Sequence, residues 1–407
     1  MQSTSGNVGS SVSRPLAGLR RRIGVGAFVS AALLAVTAQS AMAGAEFKLS
    51  DDATLNLGIG LRTSYTNLQN GAPSGNSGSN SFGVENSRIY MSGAFGQYLK
   101  ATMNFDRTGG ANGAADMRMI DGIAQFEFSE GFNVWGGRFL PPSDRANLYG
   151  PFYTSAWSYP GIASAGPAVA AGRDDGAAVW GSVADSKLAY SLGMFNGHNR
   201  VAGLSNQGDK SLYAGRLQYS FWDAETGYYR NGTYLGAKNI LTLGGSYQSQ
   251  GNGVGSAAAP GNLKISNIDF LLEKKLAGDY VPTLEGAYYK YSLGAVDCGS
   301  GETGAPGCLG GTGNVGGLVS GKSYLVTAAL LLPGKYGWGQ FQPFVRYQQF
   351  NRDVTQTTNK GTDFGLNYLI KGFNAKVSAV YTRFNDTRLA AGVQSSNQFV
   401  LGVQLQY

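Results

Sequence analysis

The sequence predicts an all-β chain that crosses a membrane as a closed antiparallel barrel of about 16 strands, with its third long loop folded inward. Three observations predict this fold class. A secretory signal begins the chain, short segments of alternating apolar residues recur along the rest, and long polar connections alternate with short ones. A closed barrel satisfies every backbone polar group in lipid, because each strand pairs with two neighbours.

The first 43 residues are typical of a secretory signal peptide. Arg14 and the arginines at 20–22 precede the apolar run IGVGAFVSAALLAVTA, and Ala41-Met42-Ala43 supplies the small residues of a cleavage site. The alternative is a transmembrane anchor, but the apolar run is short for a membrane span. We expect cleavage after Ala43, so that residues 44–407 form the barrel.

The charge of the remaining chain is nearly balanced. The signal segment holds four of the 32 Lys and Arg residues and none of the 25 Asp and Glu residues. The chain after it has no Lys- or Arg-rich block. A nucleic acid is therefore not expected as a partner.

Alternation of apolar and polar residues predicts the strands. Regular segments lie at 55–61, 88–95, 99–105, 120–128, 188–194, 213–219, 373–381 and 397–407, and less regular strands begin near Phe132, Gly172, Ile240, Leu263, Pro282, Tyr324, Phe341 and Thr362. A barrel of this size is too wide for side chains to fill, so an aqueous channel is expected.

The connections divide into long polar loops such as QNGAPSGNSGSNS and short turns such as FGQY, SEGF and IKGF. Outer-membrane barrels have long external loops and short periplasmic turns. Residues 221–239 are too long for a simple turn, and form either a bulky periplasmic turn or an extra hairpin.

The loop 140–172 differs in composition from the other long loops. It has five prolines and several large aromatic residues, where the others are rich in Gly, Ser and Asn. We expect it to fold inward against the barrel wall as a constriction. The alternative is a packing loop at a subunit contact.

The alternation also assigns charged side chains to the channel. We expect the following residues to line the channel or its constriction: Arg62, Arg88, Arg138, Arg216, Arg346, Asp121 and Glu127 on the strands, and Arg145 on the loop. Guanidinium groups bind anions bidentately and keep their charge. The same arginines could equally serve to pair with carboxylates inside a wide barrel.

Residues 130–200 carry a family resemblance. GGRFLPPSDRANLYGPFYTS, followed by AGRDDGAAVWGS, resembles the phosphate-selective porin O/P family and the related short-chain amide porins. The resemblance implies a homotrimeric 16-stranded channel for passive diffusion of small hydrophilic solutes or anions through the bacterial outer membrane. The long loops lack the lysine clusters of phosphate-selective members, so we expect a general or weakly anion-preferring porin, with a phosphate- or amide-selective porin as the alternative.

The C-terminal segment NQFVLGVQLQY alternates throughout and ends on Tyr407. It resembles the signal that such barrels present to the barrel-assembly machinery. A barrel of another class, such as a surface receptor or a sheath for a partner protein, is the competing interpretation. The rigid loop and the missing plug domain disfavour it.

The sequence offers little for catalysis or metal binding. His198 is the only histidine and has no cluster of possible ligands or triad partners around it, so we expect a loop or surface histidine, no metal, no cofactor and no enzyme activity. Cys298 and Cys308 are expected to form a disulfide in an exported loop.

The stretch GGLVSGKS, residues 316–323, matches the phosphate-binding loop pattern of nucleotide-binding proteins. That pattern works between a strand and a helix. Here the alternation of SYLVTAALLL predicts a strand after it, so a bound nucleotide is not expected.

Overall fold

The computed structural model describes residues 44–75, 77–109, 115–164, 172–200, 202–294, 320–353, 355–389 and 392–407. The predicted signal peptide, both cysteines and residues 165–171 of the predicted constriction loop lie outside the described residues.

The described chain forms seventeen β-strands and one short α-helix. Their bounds are β1 (Ala45–Lys48), β2 (Ala53–Leu68), β3 (Ser79–Phe95), β4 (Leu99–Gly109), β5 (Ala115–Ser129), β6 (Phe132–Phe139), α1 (Arg145–Tyr149), β7 (Asp174–Val183), β8 (Leu188–Phe195), β9 (Leu212–Ser220), β10 (Ile240–Gly255), β11 (Pro260–Glu273), β12 (Val281–Ser292), β13 (Gly321–Leu331), β14 (Gln340–Arg352), β15 (Thr358–Leu369), β16 (Ala375–Asp386) and β17 (Ser395–Gln406).

Sixteen of these strands close into a barrel. From β2 to β17, each strand pairs antiparallel with the next, and β17 pairs with β2. Closure removes the two open edges that a flat sheet would expose. The predicted all-β, 16-stranded antiparallel barrel is confirmed.

The short strand β1 was not predicted. It pairs with the same edge of β2 as β17 does, directly beyond the end of β17. Gln406 pairs with Gly60 of β2, Tyr407 exchanges two backbone hydrogen bonds with Ile59, and Ala45 then pairs with Leu57. The start of the described chain and its end therefore share one edge of β2.

The strands have one apolar exposed face and one polar buried face. On β14, Val345 is 44% exposed and its neighbour Arg346 only 2%. This two-residue period is what a barrel in lipid requires. Among the described residues, no helix has both the length and the apolar character needed to cross a membrane.

Strand β13 begins within the glycine-rich stretch at 316–323. Lys322 and Ser323 are strand residues, paired with Lys290 and Tyr289 of β12. The strand predicted after this stretch is present.

Candidate functional site

The residues 140–164, here called the proline-aromatic segment, follow β6 and include α1. Asp144 precedes the helix, and its carboxylate accepts a hydrogen bond from the backbone N–H of Asn147. Gly150 ends the helix with a φ of 62°, which a residue with a side chain adopts at a cost. All five helical residues are buried, because the segment packs against the strands.

Side chains from many of the barrel strands hold the backbone of this segment. Its carbonyl oxygens accept hydrogen bonds from Arg62 of β2 at Trp157, Gln248 of β10 at Pro142 (2.9 Å), Tyr291 of β12 and Ser323 of β13 at Ala163 (3.0 and 2.6 Å), Arg346 of β14 at Ser158 (2.5 Å), Asn367 of β15 at Ser155 (2.7 Å), Lys376 of β16 at Thr154 (3.1 Å) and Gln404 of β17 at Phe152 (3.1 Å). Buried carbonyls need such partners because no regular structure pairs them.

Glycines on the strands make room for the large side chains of the segment. A Cβ atom on Gly402 would lie 2.5 Å from the Trp157 ring, and one on Gly361 would lie 2.7 Å from Ile162. Both separations are shorter than two carbon atoms allow. The segment and the wall beneath it are therefore shaped to each other.

The β9–β10 connection, residues 221–239, also packs against the proline-aromatic segment. It contains no strand, so the alternative of an extra hairpin is wrong, and several of its residues are buried. Tyr228 donates to the carbonyl of Leu140 (2.7 Å), and the N–H of Gly232 donates to the carbonyl of Tyr153 (2.8 Å).

A buried ion pair joins the connection to α1. The Arg145 guanidinium donates to both carboxylate oxygens of Glu225, at 2.8 and 2.5 Å, and both side chains are at most 1% exposed. Burial by itself raises the pKa of Glu225, but Arg145 and Arg230 outweigh burial and lower that pKa to about 2. Arg145 and Glu225 thus stay charged and paired over most of the pH scale.

A cavity of about 470 Å³ remains between the proline-aromatic segment, the β9–β10 connection and strands β2–β7. One side of it is aromatic, with Tyr149, Phe152, Tyr228 and Tyr229. The other side carries polar and charged residues of β3, β4 and β5.

The charged residues of the cavity pair with one another. Arg88 donates to Asp106 (2.7 Å), Arg173 to Asp121 (3.0 Å) and Lys100 to Glu127 (2.5 Å). Each cationic group thus has a carboxylate beside it, and the polar side of the cavity carries little net charge.

The residues assigned to the channel from sequence separate into three groups. Arg88, Asp121 and Glu127 border the cavity. Arg62, Arg145, Arg216 and Arg346 are buried and bonded to the proline-aromatic segment or to carboxylates: Glu85, Glu225, Asp269 and Asp363, respectively.

Arg138 forms the third group by itself, and its assignment to the channel is wrong. Trp135 and Phe139 take the buried face of β6, where they pack on Tyr228. Arg138 therefore projects from the opposite face and pairs with Asp175 at 2.6 Å. The buried face of β6 is apolar here because its aromatic side chains belong to this cluster.

Sequence reasoning missed Lys100 and Arg173 at the cavity and Glu225 beneath α1. Lys100 could have been found, because it shares a register with Thr102 and Asn104 on a strand that was predicted. Arg173 precedes β7, and Glu225 lies in an irregular connection, so no periodic pattern marked either residue.

His198 lies in a loop, as expected, but it is buried rather than on the surface. Its ring is 2% exposed, and neither ring nitrogen has a hydrogen-bond partner within the described part of the chain. Burial lowers the pKa of His198 to about 4. No group of three possible metal ligands occurs among the described residues.

No family model and no curated protein matches the sequence. The fold resembles an anion-selective porin from Comamonas acidovorans, with a TM-score of 0.55 and 13% identity over 88% of this chain and 100% of that one.

Two further structures are similar to the same extent. OmpF of Salmonella typhi, in complex with daunomycin, gives a TM-score of 0.58 at 12% identity, and the outer-membrane channel DcaP of Acinetobacter baumannii gives 0.56 at 9%. Each covers 89% of this chain and 100% of the other. At these identities the likeness establishes a shared porin-type barrel fold.

Proposed function

We propose that this protein is an outer-membrane porin, a water-filled channel through which small polar solutes diffuse passively. The observation that carries the proposal is the cavity inside a closed barrel whose outer face is apolar. Barrels of this strand number hold an aqueous passage. The fold shared with porins and channels supports the same assignment.

The proline-aromatic segment is the constriction in this proposal. Its hydrogen bonds to β10–β17 support that role, because a segment fixed on one wall narrows the passage to the side that it leaves open. The β9–β10 connection narrows the passage further through Tyr228 and Tyr229.

The ion preference is expected to be weak and toward anions. Arg88, Lys100 and Arg173 already have carboxylate partners, so a passing anion competes with a fixed one. Three cationic side chains (Arg88, Lys100 and Arg173) and two carboxylates (Asp121 and Glu127) line the cavity, which leaves a small positive excess. A phosphate- or amide-selective porin is the narrower alternative within this class.

Assembly and location complete the proposal. Cleavage after Ala43 would direct the barrel to the outer membrane, Tyr407 would be read by the assembly machinery, and Cys298 and Cys308 would form a disulfide in an external loop. One similar structure, OmpT of Vibrio cholerae, is described as a trimer form, which supports a homotrimer here.

The deciding experiment is the zero-current potential of the purified protein in a planar bilayer across a KCl gradient. We expect stable conductance and a slight anion preference. Arg88→Gln should shift the potential toward cation preference, because Asp106 loses its partner beside the cavity. Arg383→Gln, on the exposed face of β16, is the matched control.

Folded protein that gives no conductance would overturn the proposal. Such a result would favour a barrel that serves as a scaffold or encloses a partner. An unchanged potential in Arg88→Gln would contradict the assignment of the cavity as the ion path while leaving the channel itself intact.

A further inference from the structure

Three residues that line the cavity hold polar atoms without a hydrogen-bond partner in the described part of the chain. They are the indole N–H of Trp180, the hydroxyl of Tyr229 and the amide oxygen of Asn104, all buried. Trp180 is only 7% exposed. An unmade hydrogen bond at a buried polar group costs free energy, so a partner that reaches these atoms from the cavity gains stability.

These three atoms favour a ligand without charge. The set consists of one donor, one acceptor and one hydroxyl that can do both. The charged residues nearby are already paired within hydrogen-bond distance, and a charged solute would have to displace a bonded carboxylate or cation. A solute without charge enters at lower cost.

The pairs also set donors and acceptors side by side. Arg173 lies on Asp121, and Lys100 on Glu127, so each pair offers N–H groups and carboxylate oxygens at one point of the wall. Neighbouring hydroxyl groups, which donate and accept at once, match such pairs. An amide matches them only on one edge.

The opposite side of the cavity is aromatic. Trp135, Trp180, Tyr228 and Tyr229 form connected ring contacts, with the Trp135 and Tyr228 centroids 4.7 Å apart. An aromatic wall favours an apolar face on the solute. A pyranose ring has both features, with C–H groups on its faces and hydroxyls around its edge.

We propose that this cavity is a binding site for neutral pyranose sugars, which rests on the proposed porin function and names its solute class. The volume of about 470 Å³ is in the range of small-molecule sites. The sugar lies between the aromatic side and the paired charges, with Trp180 and Tyr229 donating to its oxygens.

The test is the effect of added sugar on the ion current of single channels in KCl. Glucose and maltose should reduce the current saturably. Mannitol has similar hydroxyls but no ring, and it should act more weakly. Trp180→Phe removes the N–H but keeps an aromatic ring, and should raise the half-saturating glucose concentration about three- to tenfold. Trp338→Phe, at an exposed turn far from the cavity lining, is the matched control.

The outcomes separate the two proposals. A current that falls only in proportion to sugar concentration, or that saturates with phosphate or benzoate rather than glucose, overturns the sugar site and leaves the porin. If the folded protein carries no current, tryptophan fluorescence measured with increasing glucose tests the sugar site instead. A saturable change that Trp180→Phe weakens and Trp338→Phe does not supports the site, and its absence overturns the site as well.

Discussion

On strands β12–β17, polar side chains bond the backbone of another segment, whereas on strands β3–β5 they bond one another. Asn367 and Gln404 donate to carbonyls of the proline-aromatic segment, but Thr102 donates to Gln125, and Asn104 to Asp121. We call the first face the covered wall and the second the cavity wall. Both carry the same two-residue alternation in sequence.

The difference shows that one residue pattern serves two purposes inside a barrel. On the covered wall, amide and guanidinium groups act as supports for a segment without regular structure. On the cavity wall, similar groups neutralise each other and remain next to open space. The alternation therefore predicts which face of the barrel a polar side chain occupies, but not what that side chain does there.

Removing the proline-aromatic segment should abolish the difference between the covered wall and the cavity wall. If residues 145–164 are replaced by a short Gly-Ser linker, the covered wall becomes a second open wall, and we expect single-channel conductance to rise several-fold. Shortening the β2–β3 loop at residues 70–77 is the control and should leave conductance near its original value. Unchanged conductance after the replacement would contradict the constriction.

Glu225→Gln should weaken the attachment of α1 to the β9–β10 connection. It leaves Arg145, buried and charged, without its bidentate partner. Loss of one member of a buried pair costs about 3–5 kcal/mol. Denaturant unfolding in detergent should show the loss, with noisier currents in the bilayer. The double variant Arg145→Met/Glu225→Leu should recover part of it, and a single variant as stable as the original would count against the pair.

Acid should act on the same pair. The pKa of Glu225, about 2, lies below the ordinary value of 4.5, so its contribution to stability is complete above pH 4.5 and is lost as pH falls through about 2. Stability measured between pH 5 and pH 2 should fall more steeply in the original protein than in Glu225→Gln. Parallel curves would exclude a role for this carboxylate.

Gly402→Val tests the fit of segment to wall. The added side chain meets Trp157, whose ring would be 2.5 Å from the new Cβ atom, and overpacking of this kind costs about 1–3 kcal/mol. Gly136→Val on β6 is the control, since nothing lies within 4 Å of its Cβ position. Equal stability losses in the two variants would argue against close packing of Trp157 on β17.

The smallest effect is expected at Arg138. Its pair with Asp175 is on the outer face and partly exposed, and such pairs contribute less than about 1 kcal/mol. Arg138→Gln should leave conductance and ion preference unchanged, in contrast to Arg88→Gln. A clear shift in zero-current potential would place Arg138 at the channel after all.

Much of the barrel could be predicted from the sequence. The two-residue period located all sixteen strands, and it assigned Arg62, Arg88, Arg216 and Arg346 to the buried face. Local alternation suffices because lipid on one side and protein on the other impose opposite polarity on successive side chains. The period failed at Arg138, where Trp135 and Phe139 pack inward on other aromatic residues.

The sequence by itself determined the strand number, the alternation of long and short connections, and the unusual composition of residues 140–172. Only the tertiary structure decided which wall this segment covers, that the β9–β10 connection meets it through Arg145 and Glu225, and which charged residues border the cavity. The reason is physical. Strand formation depends on near neighbours. The contacts of the segment join residues far apart in sequence, such as Arg145 and Glu225 (80 positions) or Pro142 and Gln248 (106 positions), and no local pattern encodes them.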